Sequence, residues 1–256
     1  MKVKVFENTQ EMAKAAAKHA AKVLNEHIAA GENPRLLLST GASQFAFFEH
    51  FVRENVDWSQ VEMFHLDEYV DLPETHIASF RKYLKERFIS QVPLKAAYLV
   101  DGTQECIASL TKELRSAPID VGVIGIGENA HIAFNDPPAD FDTQEAYIIV
   151  NLNDTCKKQQ VGEGWFATVD DVPKQAVSMT VYQIMQCRKI VSVVPYAVKA
   201  NAIQMTLEND ETNLIPATIM KKHADLSIFV DEDSFSKVNE NAIRPAPGCS
   251  YTLTRL

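Results

Sequence analysis

The stretch DVGVIGIGENAHIAFNDPP (residues 120–138) decides the fold class, because an apolar run leads directly into a polar turn. Residues 121–126 have the composition of a strand that is buried on both faces, as in a parallel sheet covered by helices. The turn that follows places His131 between Asn129 and Asp136. A histidine at such a strand end is either a satisfied polar group or part of a ligand site, and this stretch alone leaves both readings open.

The same alternation of apolar and amphipathic segments extends along the chain in both directions. Buried strands are also predicted at residues 35–39, 61–66, 190–194 and 225–230. Helical spacing predicts helices at residues 9–30, 43–54, 77–88, 104–115 and 197–208. Continuous apolar strands that alternate with helices indicate an α/β fold, a parallel sheet with helices on both faces. No repeat or long linker divides the chain, so one domain is expected over residues 1–256.

Composition excludes several classes of partner. The net charge of −9 argues against binding to nucleic acid or to an anionic membrane, although a small anionic substrate stays compatible with it. No apolar run is long enough for a transmembrane helix, and the first residues lack the apolar core of a secretory signal. The four cysteines, Cys106, Cys156, Cys187 and Cys249, have no metal-ligand spacing. We therefore expect reduced thiols, a cytoplasmic protein and no metal site.

Polar residues follow the first predicted strand at the point where a helix begins. Small and hydroxyl-bearing residues form this turn: Ser39, Thr40, Gly41, Ala42 and Ser43. Such a turn presents backbone N–H groups and hydroxyls to an anion. It matches neither a Walker A loop nor a GxGxxG motif, which disfavours a nucleotide. The alternative is an ordinary turn capped by Ser43.

Two neighbouring carboxylates, Asp67 and Glu68, follow the second strand in the stretch FHLDEYVDLP. Adjacent residues of an extended chain point to opposite sides, so one carboxylate can face a crevice while the other anchors the structure. A carboxylate in a partly desolvated crevice has a raised pKa and becomes a useful base near neutral pH. The alternative is an exposed acidic turn.

The third strand end is the opening stretch itself. Gly125 and Gly127 allow a ligand to approach the backbone closely, and Asp136 can orient His131 as a general acid–base. The alternative is that Asp136 only stabilises the Asn-Asp-Pro-Pro turn. Because ligands of α/β sheets bind beyond the carboxyl ends of the strands, the three strand ends together predict proton transfer on a small phosphorylated metabolite.

The chain resembles the glucosamine-6-phosphate deaminase (isomerase) family. The resemblance rests on STGAS, HLDEYVDLP, GIGENAHIAFNDP, DDVPKQAVSMTV and VVPYAVKANAI, which stand in the family's order from about residue 34 to 230. It implies a modified Rossmann-type fold shared with phosphopentose isomerases and 6-phosphogluconolactonases. It also implies a cofactor-free reaction of amino-sugar catabolism that converts glucosamine 6-phosphate and water to fructose 6-phosphate and ammonia.

The resemblance further implies roles for individual residues. Asp67 corresponds to the base that removes the C2 proton, and His131 to the acid–base that opens the sugar ring. Asn129 and Asp136 occupy the positions that hold this histidine. The residues from Thr40 to Ser43 match the phosphate loop, with Ser39 and Gly127 beside it, and Lys199 matches the lysine that reaches the phosphate.

The chain departs from the family pattern at several positions. Asn129 stands where many members have aspartate, Ala130 replaces the usual glycine, and Asp136 is shorter than the usual glutamate. Many members have a phosphate-binding arginine before two phenylalanines, whereas this chain has CKKQQVGEGWF (residues 156–166). Lys158, Gln159 and Gln160 are the candidates to fill that role.

Alternatives of other kinds stay open at this point. Galactosamine 6-phosphate is a second candidate substrate. A lactone hydrolase of the 6-phosphogluconolactonase type shares the fold and the phosphate loop, and a non-catalytic sugar-phosphate sensor shares the fold. Assembly into a homo-oligomer is compatible with the sequence but is not indicated by it.

Overall fold

The computed structural model describes residues 1–256. The strands are β1 Lys2–Phe6, β2 Arg35–Leu38, β3 Glu62–His65, β4 Asp67–Tyr69, β5 Ala96–Tyr98, β6 Val121–Ile124, β7 Tyr147–Asn151, β8 Gln175–Met179, β9 Lys189–Val194, β10 Leu226–Asp231 and β11 Thr252–Arg255. The α-helices are α1 Thr9–Ala29, α2 Phe45–Phe51, α3 Phe80–Leu84, α4 Gln104–Leu114, α5 Asp154–Gly162, α6 Val181–Ile184, α7 Ala200–Glu208 and α8 Glu232–Phe235. A 3₁₀ turn precedes each of α2 and α7.

Eight strands form one parallel sheet in the order β11-β1-β10-β9-β6-β2-β3-β5. From β2 the chain moves outward through β3 and β5, and from β6 it moves outward the other way through β9 and β10. The strand order therefore reverses between β2 and β6. Loops that leave these two strands diverge and open a crevice at their carboxyl ends, which is where ligands of such sheets bind.

Helices cover both faces of this sheet, as continuous apolar strands require. Alternate residues of one strand enter opposite cores: Leu36 and Leu38 pack under α1 and α2, whereas Leu37 packs on the side of α4 and α7. The long helix α1 buries an alanine-rich face and begins at Asn8, whose side chain accepts a hydrogen bond from the Glu11 N–H at 3.0 Å. The predicted α/β class, with one parallel sheet between two helical layers, is confirmed.

A second sheet, not predicted from the sequence, lies over the pocket end of the first. It has three antiparallel strands in the order β4-β8-β7. Asp67 and Glu68, expected to end the strand that precedes them, instead form a separate strand β4, because the chain leaves the parallel sheet at Leu66 and pairs with β8. A third core packs around Tyr69 of this strand.

Several predicted boundaries differ from the structure. The helix expected at 77–88 begins at Phe80 and passes into a π-helix over Lys85–Ile89. The helix expected at 43–54 is shorter and follows a 3₁₀ turn over Ala42–Gln44. The strands β1, β5 and β11 and the polar helix α5 were not predicted. In length and hydropathy, none of the helices is suited to cross a membrane.

Candidate active site

A pocket lies at the carboxyl ends of β2, β6 and β9, where the strand order reverses. It brings together most of the residues expected to bind or transform a ligand. Its lining includes Ser39, Thr40, Gly41, Ala42, Ser43, Asp67, Gly127, His131 and Lys199. Asn129 and Asp136 do not line it, but hold His131 from behind. The three strand ends therefore form one site.

The loop from Ser39 to Ser43 presents free donors to this pocket. Gly41 has φ 99°, a backbone conformation that glycine alone adopts readily. This turn leaves the backbone N–H groups of Gly41, Ala42 and Ser43 without hydrogen bonds inside the protein. The Ser39 hydroxyl is used internally, because it accepts the Gly125 N–H at 3.2 Å. The loop is thus arranged to donate to an anion, with Ser39 in a supporting position.

Lys199 supplies positive charge to the same pocket. Its side chain is buried, and no residue of the protein hydrogen-bonds its ammonium group. Burial lowers the pKa of Lys199, while the charges of Glu163 and Glu128 act in the opposite direction. The turn before it holds Tyr196 at φ 78°, and both carboxylate oxygens of Asp231 accept the Tyr196 N–H. A buried, unpaired lysine is suited to bind an anionic ligand.

The histidine loop fixes His131 at the pocket wall. Nδ1 of His131 lies 2.6 Å from Oδ1 of Asn129 and 3.0 Å from Oδ1 of Asp136. The Asn129 amide also donates to Asp136 at 3.0 Å. Burial raises the pKa of Asp136, but the hydrogen bond and charge of His131 outweigh it and leave the pKa below its usual value. The group is therefore an oriented imidazole backed by a carboxylate, which suits general acid–base work.

Gly127 and Ala130 show why this loop has its sequence. A Cβ atom on Gly127 would lie 2.2 Å from the His131 ring, so only glycine leaves room for the imidazole. Ala130 adopts φ 64°, in the left-handed region that favours glycine. This explains why the family that the chain resembles usually has glycine at that position.

Asp67 reaches the pocket from the second sheet. Its carboxylate is buried and makes no hydrogen bond within the protein. Burial, together with the charge of Glu68, raises the pKa of Asp67 to about 8. A carboxylate with such a pKa is a strong enough base to remove a proton from carbon next to a carbonyl group.

Ser178 fixes the strand of Asp67 relative to the loop of His131. It lies opposite Asp67 in the β4–β8 register, and its hydroxyl accepts the Phe134 N–H at 3.0 Å. Asn135 adds a hydrogen bond to the Met179 carbonyl at 2.8 Å. The two groups expected to move protons are therefore attached to one small sheet.

One wall of the pocket was only partly predicted from the sequence. It comes from α5 and the turn after it, and consists of Gln159, Gln160, Glu163 and Trp165. Of the three residues considered as replacements for the family arginine, Lys158 is exposed and outside the pocket. Gln160 is buried and accepts the Tyr69 hydroxyl at 2.7 Å. Gln159, the third of these residues, lines the pocket, whereas Glu163 and Trp165 were not expected there.

The fold and the pocket together define a protein of the sugar-phosphate isomerase and lactonase class. A model of the family described as glucosamine-6-phosphate isomerases/6-phosphogluconolactonase matches residues 7–228. The chain belongs to this family.

Individual relatives agree with this assignment. The chain is 33% identical over 240 residues to glucosamine-6-phosphate deaminase of Streptococcus sanguinis (92% of this chain, 98% of the relative). It is 28% identical over 244 residues to the protein of that name from Bacillus cereus strain B4264 (94% and 90%). Among solved structures, it is similar in fold to a monomeric glucosamine-6-phosphate deaminase (TM-score 0.83, 24% identity, 93% of this chain and 100% of that chain). It is also similar in fold to 6-phosphogluconolactonase from Thermotoga maritima (TM-score 0.74, 13% identity, 90% and 100%).

Proposed function

We propose that this protein is a glucosamine-6-phosphate deaminase, which converts glucosamine 6-phosphate and water to fructose 6-phosphate and ammonia. The observation that carries the proposal is that Asp67 and His131 face the same pocket as Lys199 and the Ser39–Ser43 loop. An anion-binding end and two separate proton-transfer groups are what an isomerisation of a phosphorylated sugar requires. The names of the relatives support this substrate.

The first step is the opening of the sugar ring. The imidazole of His131 takes the proton of the C1 hydroxyl and returns it to the ring oxygen, which leaves an open-chain aldehyde. Asn129 and Asp136 keep the ring in place while it changes charge. The phosphate stays bound to Lys199 and to the free N–H groups of residues 41–43, so C1 and C2 remain near the two proton-transfer groups.

The second step is the transfer of a proton from C2 to C1. The Asp67 carboxylate removes the C2 proton, and the electron pair forms an enolamine between C1 and C2. Return of a proton to C1 gives an imine at C2, which water hydrolyses to the ketone with release of ammonia. Both proton transfers lie within the capacity of a carboxyl and an imidazole, so the proposed reaction uses no cofactor.

The proposed setting is amino-sugar catabolism in the cytoplasm. All four cysteines are free thiols, and Cys156 and Cys187 are buried, an arrangement that suits a reducing compartment.

The decisive experiment mixes the purified protein with glucosamine 6-phosphate and measures ammonia and fructose 6-phosphate. We expect both products in equal amounts. Galactosamine 6-phosphate and 6-phosphogluconolactone are assayed in parallel under the same conditions. Faster turnover of galactosamine 6-phosphate would reassign the substrate, hydrolysis of the lactone alone would reassign the reaction, and binding without turnover would indicate a sensor.

A further inference from the structure

The phosphate end of the pocket contains a carboxylate that the proposed reaction does not use. Glu163 lies directly after α5 and lines the pocket together with Lys199. Among all the lining residues, Lys199 is the one lysine or arginine, whereas Asp67 and Glu163 are both acidic. The charge of Glu163 acts on Lys199 and therefore offsets part of the positive charge in the pocket.

Two hydrogen bonds hold the Glu163 carboxylate in place. Its Oε1 accepts the Gln159 amide at 2.8 Å, and its Oε2 accepts the Trp165 indole N–H at 3.0 Å. Both donors come from residues that also line the pocket. Glu163 makes no salt bridge with Lys199 or with any other residue, so its charge is oriented but not neutralised by an ion pair.

A fixed carboxylate near a bound phosphate acts against binding of the dianion. Like charges in one pocket repel each other, and solvent screening reduces this repulsion because Glu163 is only partly buried. The free N–H groups of residues 41–43 and the ammonium of Lys199 must overcome this repulsion when a sugar phosphate binds. The affinity for phosphate is thus set by the difference between this attraction and the repulsion from Glu163.

We infer that Glu163 is a specificity-determining residue, which lowers the affinity of the pocket for a phosphate dianion and so limits the preference for phosphorylated over unphosphorylated amino sugars. This inference rests on the proposed function for its substrate, but its effect on phosphate binding is independent of turnover. Trp165 contributes by fixing the orientation of the carboxylate.

The test compares Glu163→Gln with the wild-type protein by calorimetric titration with inorganic phosphate. Glutamine keeps the size of the side chain but removes the charge, so we expect phosphate to bind about 3- to 10-fold more tightly. KM for glucosamine 6-phosphate should fall by a similar factor. The ratio of kcat/KM for glucosamine 6-phosphate to that for glucosamine should rise.

Three further variants separate the effect of charge from that of position. Asp142→Asn removes an equal charge from an exposed position outside the pocket lining, and we expect less than a twofold change in phosphate affinity. Trp165→Phe removes the indole donor but keeps the Glu163 charge, so phosphate should not bind more tightly. Glu163→Ala removes the charge together with both hydrogen bonds, and should bind phosphate more tightly than the wild type.

The inference is overturned if Glu163→Gln binds phosphate no better than the wild type, if Asp142→Asn has an equal effect, or if neither the wild type nor Glu163→Gln binds phosphate. Failure of the proposed function looks different. In that case the wild type does not release ammonia from glucosamine 6-phosphate, while Glu163→Gln still binds phosphate more tightly.

Discussion

On one side of strand β4, Asp67 enters the pocket with no hydrogen-bond donor. On the other side, Glu68 accepts from a full set of donors: the Tyr69, Phe80 and Arg81 N–H groups, the Ser79 hydroxyl and the Arg81 guanidinium, at 2.9 to 3.2 Å. Both side chains are buried. Two adjacent acids thus differ in role because the pleat turns them to opposite environments. The saturated carboxylate stabilises the fold, and the unsaturated one keeps its lone pairs for chemistry.

The largest expected effect comes from removing the reactive carboxylate, Asp67. Asp67→Asn should lower kcat by about 10²- to 10⁴-fold, because asparagine cannot accept the C2 proton. Ammonia release measures this, and the exposed Asp142→Asn serves as the matched control with unchanged activity. An Asp67→Asn protein that kept more than a tenth of the activity would remove Asp67 from the mechanism.

The next largest effect comes from removing the structural carboxylate, Glu68. Glu68→Gln should lower the free energy of unfolding by about 3 kcal/mol, since an amide cannot accept from every donor and leaves the Arg81 charge unpaired. Urea denaturation followed by circular dichroism gives this value. Asp142→Asn should change it by less than about 0.5 kcal/mol. Equal stability of Glu68→Gln and the wild type would mean that the Glu68 contacts are not a structural anchor.

A smaller effect, of opposite sign, is expected on the stability of Asp67→Asn and depends on pH. The pKa of Asp67 lies near 8 in the folded protein against 3.8 as its ordinary value, so the folded state holds this proton more tightly. As the pH rises from about 4 to 8, loss of the proton therefore weakens folding of the wild type. Asparagine has no proton to lose, and Asp67→Asn should therefore be more stable than the wild type at pH 8.

Urea denaturation of both proteins at pH 4 and pH 8 checks this. The difference should be small at pH 4, where Asp67 is protonated in the folded protein and about half protonated in the unfolded chain. A variant that is less stable than the wild type at pH 8 would show that the Asp67 carboxylate contributes to the fold after all.

The smallest effect concerns the pH dependence of catalysis. Because the base must be ionised and its pKa is about 8, kcat/KM should rise about tenfold between pH 7 and pH 9. Initial rates at low substrate concentration give this profile. In Glu68→Gln the rise should occur at lower pH, because the neighbouring charge that helps to raise the pKa of Asp67 is gone. A flat profile in the wild type would contradict the assignment of Asp67 as the base.

The parallel sheet could be predicted because its central strands are continuous apolar runs between amphipathic helices. The small sheet could not, since β4 has three residues and pairs with β8 more than a hundred residues later. A pairing between such distant segments produces no periodic pattern in the local sequence. Alternation in an extended chain did predict that Asp67 and Glu68 separate. Which of them faces the pocket depends on the register with β8, and on the residues alone that choice stayed open.

The candidate site divides in a similar way. Site residues at strand ends can be recognised in the sequence, because a buried apolar strand stops there at a polar group. His131 and the Ser39–Ser43 loop are examples. Glu163 and Trp165 follow a short polar helix whose only buried residues are Cys156 and Gln160. Nothing in that pattern distinguishes a pocket wall from a solvent-exposed helix, so this wall became visible only in three dimensions.

The hydrogen bonds around His131 also fix the direction in which protons move. The Asn129 amide donates to Asp136 and so presents its oxygen to the ring, which means that Nδ1 faces two acceptors and must carry a hydrogen. The neutral imidazole is therefore the Nδ1–H tautomer, with a lone pair on Nε2. On meeting a closed sugar, this nitrogen can only accept first and donate afterwards. In the proposed reaction, ring opening by the neutral imidazole thus begins with removal of the C1 hydroxyl proton.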